Sequence, residues 1–126
     1  MLRDQDAMAT VAVSDLERAG EFYGGKLGLR PAEDMPPETG VAVYRSGNAR
    51  IVVYKSDYAG TNKATSVTWG VGDDFAAIVA ALQNAGVPFE HYDIGMQRDG
   101  DVHYAGAFKA AWFRDPDGNI LHINND

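Results

Sequence analysis

The sequence predicts an α+β fold in which two tandem βαβββ modules build a curled mixed sheet. Two observations carry this: landmarks that recur in the same order in both halves, and apolar periods that alternate between strand-like and helix-like within each half. Asp15 opens a helical pattern that stops at Gly28, and Asp73 opens another that stops at Gly86, with one offset separating both pairs. Each half closes on a Gly-Asn turn before an apolar run: Gly47-Asn48 before Ile51-Val-Val-Tyr54, and Gly118-Asn119 before Ile120-Leu-His-Ile123. A longer offset at this last landmark places extra residues in the second half, within the polar run Asp93 to Gly106. The expected organisation is a single domain over 1–126, with module 1 at about 8–57 and module 2 at about 64–126.

Each element follows from its residues. Met8 to Val13 alternates and suits a strand, and Ser14 or Asp15 caps the helix that follows. Leu16, Ala19, Phe22, Tyr23 and Leu27 form one apolar stripe. Inside it the Gly24-Gly25 pair eases close packing or shortens the helix. Strands are expected near Arg30–Glu33, Val41–Arg45 and Ile51–Tyr54. In the second half a strand over Ser66–Val71 precedes a helix over Asp74–Asn84 with Phe75, Ile78, Val79 and Leu82 on its face. Further strands are expected near Phe89–Tyr92, Ala107–Arg114 and Ile120–Ile123. Asp115-Pro-Asp-Gly118 is a tight turn, since Pro presets φ, Asp bonds its own backbone and Gly accepts positive φ.

Composition narrows the function. The 126 residues carry 11 Lys and Arg against 18 Asp and Glu, a formal charge of −7. Such a surface repels phosphate backbones and anionic lipid, so neither nucleic acid nor membrane is an expected partner. With no Cys there is no disulfide, thiolate metal site or thiol nucleophile. No apolar run is long enough to span a bilayer and the amino terminus is acidic, so a cytoplasmic protein is expected.

Side-chain alternation gives each strand two faces. Val11, Val13, Val67, Trp69, Val71, Leu121 and Ile123 are expected under the helices. Met8, Thr10, Ala12, Ile51, Val53, Ser66, Thr68, Gly70, Ile120 and His122 are then expected to line a concave cup, with Tyr44 or Trp112 stacking on a planar ligand if it faces inward. Small, apolar and hydroxyl-bearing walls with one imidazole suit a small organic molecule. The candidate ligand-binding residues are Met8, Thr10, Tyr44, Ile51, Val53, Ser66, Thr68, Trp112 and His122. His91 and His103 are expected on exposed loops.

The run Val11-Ala-Val-Ser-Asp-Leu-Glu-Arg-Ala-Gly-Glu-Phe-Tyr23 with Leu27-Gly-Leu29, and the run Trp112-Phe-Arg-Asp-Pro-Asp-Gly-Asn-Ile-Leu121, resemble the vicinal oxygen chelate superfamily, also called the glyoxalase, bleomycin-resistance and dioxygenase family. The resemblance covers the whole chain and implies that superfamily's fold and a homodimer. It also implies three metal-ligand positions, which fall here on Met8, Ser66 and His122. Thioether and neutral hydroxyl are poor ligands for hard divalent ions, so no metal or other cofactor is expected, with a divalent metal as the alternative. The expected function is metal-independent binding of a small organic molecule, aromatic or antibiotic-like. The alternative is a glyoxalase-like lyase or isomerase, or another enzyme of the superfamily, using His122 as catalytic candidate with or without a metal.

Overall fold

A computed structural model describes residues 1–33 and 36–126, and the chain divides into two units, residues 1–59 and 60–126. In the first unit β1 (Ala9–Val13) leads to α1 (Leu16–Gly20), which is capped by Asp15. The Asp15 carboxylate accepts the Arg18 N–H at 3.0 Å, and that bond holds its carboxyl below the usual range. Beyond α1 the expected single helix changes character: Glu21–Lys26 is a π-helical turn containing both Gly24 and Gly25. The Tyr44 ring lies over Gly20 and Gly24, and only Gly20 is held tightly by it. A Cβ on Gly20 would stand 3.3 Å from the Tyr44 hydroxyl, and one on Gly24 would stand 3.8 Å from its Cε1. Gly25 is different, since a Cβ there would meet nothing within 4 Å and its φ is not positive. Gly25→Ala is therefore expected to stabilise the protein by about 0.5–1 kcal/mol through lower unfolded-chain entropy, read as a higher midpoint in urea. Gly28, at φ 72°, ends the segment as expected.

β2 (Arg30–Glu33), a 3₁₀ turn at Pro37–Thr39, β3 (Val41–Ser46) and β4 (Ala49–Lys55) complete a sheet ordered β1-β4-β3-β2. β1 runs parallel to β4, and the other pairs are antiparallel. The register corrects one expectation. Val11 lies beside Val53, and Ala9, Ile51 and Tyr44 are neighbours in one row. Tyr44 in turn stacks on Tyr23 of the π-helical turn, with centroids 6.1 Å apart. Ile51, Val53 and Tyr44 thus lie on the helix-covered face with Val11 and Val13, not on the face of Met8 and Thr10. All five are buried. Because Ile51-Val-Val-Tyr54 is apolar at every position, alternation alone does not choose its face; only the partner strand does.

The second unit begins with β5 (Thr65–Gly70) and reaches α2 (Phe75–Asn84) through a 3₁₀ turn at Gly72–Asp74. Gly86, at φ 74°, follows the helix. β6 (Phe89–Glu90), β7 (Gln97–Asp99), β8 (Val102–Ala105), β9 (Phe108–Arg114) and β10 (Ile120–Asn124) then form a sheet ordered β5-β10-β9-β8-β7. β5 and β10 are parallel, as β1 and β4 are. The extra residues of this half are partly a hairpin, β7–β8, which shares the outer edge of β9 with β6: β6 holds Trp112 and Phe113, while β8 holds Phe108 to Ala110. Phe113 packs against Trp69 and Phe89. With Ala111, Leu121 and Ile123 it forms the buried apolar face beside Phe75, Val79 and Leu82 of α2. No helix among the described residues is long and apolar enough to cross a membrane.

Candidate functional site

The opposite face of the second sheet carries the functional candidates. β9 and β10 set Trp112 beside His122, and β10 sets His122 beside Thr68 of β5. Trp112 and His122 lie ring over ring, with centroids 4.5 Å apart and planes 32° apart. Thr68 is exposed. Ser66 falls at a bulge: Thr65 pairs with Ile120 and Val67 with Leu121, so the register skips it. Met8 and Thr10, in the first unit, are both exposed, and Met8 keeps 50% of its surface.

Three residues of this cluster lie outside the sequence-derived candidates. His103 is fully buried in β8, not on an exposed loop, and meets Trp112 edge-on at 5.0 Å. Tyr92 also meets the indole at a near-perpendicular angle, with centroids 5.5 Å apart. Asn124 follows His122 by two residues on the same face. The signal for His103 is present in Val102-His-Tyr-Ala105, an alternating run between Gly100 and Gly106, but its polar flanks read as a loop. His91 is half-exposed, as expected of it, and its Nε2 lies 2.7 Å from Asp101. Gln83 of α2 donates to the same carboxylate at 2.9 Å, and these two bonds hold the Asp101 carboxyl below its usual pKa.

Hydrogen bonding decides the tautomers. The Tyr92 N–H donates to His103 Nε2 at 2.9 Å, so that nitrogen carries the lone pair and Nδ1 the proton. The Asp126 N–H donates to Asn124 Oδ1, which turns the Asn124 amide nitrogen toward His122 Nε2 at 3.3 Å. His122 is therefore also an Nδ1–H tautomer. Both buried Nδ1 atoms lack a hydrogen-bond partner. A buried donor left unpaired costs about 1–3 kcal/mol.

Burial pushes the pKa of both imidazoles below the ordinary histidine value. The unfolded chain then binds more protons than the folded one, so this contribution is intact above about pH 6.5 and is lost as pH falls toward the depressed values. The thermal midpoint is expected to drop as pH falls below about 6.5. Proton NMR titration should place both imidazole pKa values below about 6.5; a value above that for either ring contradicts the assignment.

Of the three superfamily metal positions, only His122 presents a nitrogen ligand, and His122 Nε2 already faces Asn124. Among the described residues no group of three or more His, Asp and Glu side chains is placed to hold a metal. The donor set at Met8, Ser66 and His122 does not fit a hard divalent ion.

The glyoxalase/bleomycin resistance protein/dioxygenase superfamily model matches residues 7–123. The chain belongs to that superfamily. No curated protein sequence matches it. Among solved structures in this superfamily's fold, UcmS2 is 20% identical, covers 98% of this chain and 99% of its own, and superposes with a TM-score of 0.78. TnmS3, an antibiotic binding protein from Streptomyces sp. CB03234, is 26% identical over 98% of this chain and 97% of its own, with a TM-score of 0.63. A lactoylglutathione lyase from Agrobacterium tumefaciens is 14% identical over 96% and 92%, with a TM-score of 0.70. One fold thus serves both an antibiotic binding protein and a lyase.

Proposed function

We propose that the protein binds a small organic molecule, aromatic or antibiotic-like, on the face of the second sheet that carries Trp112 and His122, without a metal. One observation carries the reading: an indole, itself only half-buried, packed with two buried imidazoles. Such a cluster offers a flat apolar surface on which a planar ligand stacks. Thr68 and Ser66 add hydroxyls on or beside the same face. The likeness to TnmS3 supports binding over turnover, as does the donor set at the metal positions. The binding form is read as a cytoplasmic homodimer.

A panel of planar heteroaromatic and antibiotic compounds, screened by thermal shift, tests this reading. Compounds that bind the native state raise its midpoint. Trp112→Ala is expected to weaken the best compound about tenfold, the loss of one stacking contact, in isothermal titration. A panel in which no compound shifts the midpoint, or a best compound unaffected by loss of Trp112 and of His122, overturns the proposal.

A further inference from the structure

The first unit sets like charges directly opposite one another. β2, β3 and β4 bring three arginines into one row: Arg30 stands opposite Arg45, and Arg45 stands opposite Arg50. Directly opposed side chains leave the same face of a sheet, and like charges so placed are destabilising. The row also runs against the chain's formal charge of −7. Among the described residues, neither Arg30 nor Arg45 is paired with a carboxylate.

A groove of about 330 Å³ opens at these two side chains. It is lined by Gly28 and Leu29 after the π-helical turn, by Arg30 and Arg45, and by Ser46 and Gly47 at the β3–β4 turn. No acid is among the described lining residues. Two guanidinium groups present planar forks of N–H donors that match an oxyanion bidentately, which a lysine ammonium cannot do. Glycine at two of the six positions keeps the walls low enough for a group to approach the backbone.

We propose that this groove binds an oxyanion, the carboxylate or phosphate group of a small molecule, gripped between Arg30 and Arg45. The bound charge neutralises the repulsion between Arg30 and Arg45, so occupancy stabilises the first sheet. The proposal rests on the first unit alone and stands or falls separately from the reading of the aromatic cluster.

The test is NMR titration of the full-length ¹⁵N-labelled protein with inorganic phosphate and, separately, acetate, holding ionic strength constant with chloride. Saturable shifts of the Arg30 and Arg45 Nε–H resonances are expected. Whichever anion saturates at lower concentration identifies the group. Arg45→Gln should weaken binding about tenfold or more while melting no lower than wild type in chloride alone, because it relieves like-charge contact. Should Arg45→Gln not fold, Arg45→Lys keeps the charge and serves instead: it is expected to fold normally and lose about tenfold in affinity with the fork. Shifts that rise without saturation, or that are as large at Arg3 and Arg18, overturn the proposal, as does unchanged affinity in the folded variant.

Discussion

Gly60→Ala is expected to destabilise the second unit by on the order of 3 kcal/mol or more, a large loss for one added methyl group. Gly60 has φ 73°, a left-handed conformation that costs an alanine about 1 kcal/mol or more. The steric term is greater. A Cβ there would overlap the Asp117 carbonyl oxygen, which is backbone and has no rotamer through which to retreat. Relief requires moving the turn between β9 and β10. Urea denaturation of Gly60→Ala beside Gly100→Ala separates the two terms, since Gly100 also has positive φ, at 59°, but open space around it. Equal losses in the two variants would refute the steric account.

The second large effect lies in the same turn. Asp115→Ala is expected to cost on the order of 3 kcal/mol or more. The buried Asp115 carboxylate accepts the Asp117 N–H at 2.9 Å and the Asn119 N–H at 2.8 Å through Oδ1, and the Asn119 amide at 2.8 Å through Oδ2. Asp115 and Asn119 are only 4% and 3% exposed, so removing the carboxylate strands donors that water does not readily reach. Asp115→Asn retains one carbonyl oxygen and is expected to lose about half as much. Chemical denaturation at neutral pH checks both, and an Asp115→Ala variant within about 1 kcal/mol of wild type would show that the turn relaxes freely.

That turn is legible in the sequence because its chemistry is local. Asp115-Pro-Asp-Gly118 states its own geometry, with Gly118 at φ 87°, and no distant residue is needed to interpret it. The same holds for the Asp15 cap and for the glycines after each helix. Features set by partners at a distance are harder to read. Ile51 and Val53 take their face from Val11 and Tyr44, and the wider winding at Glu21–Lys26 goes with a tyrosine some twenty residues downstream. The candidate site divides in the same way. Trp112 and His122 stand out in the sequence because a closing hairpin makes them neighbours. His103 does not, because its burial depends on β8 adding to β9, a pairing that polar glycine-flanked residues do not announce.

The parallel pairing within each unit has a kinetic consequence. Strands that run parallel cannot be joined by a short reversal, so β1 awaits β4, and β5 awaits β10, until the whole intervening stretch is in place. Each unit thereby has a high contact order, and loop-closure entropy is spent before the central pair repays it. The rate of folding should respond most to what shortens or stiffens the path from β5 to β10, and very little to the strength of the helices.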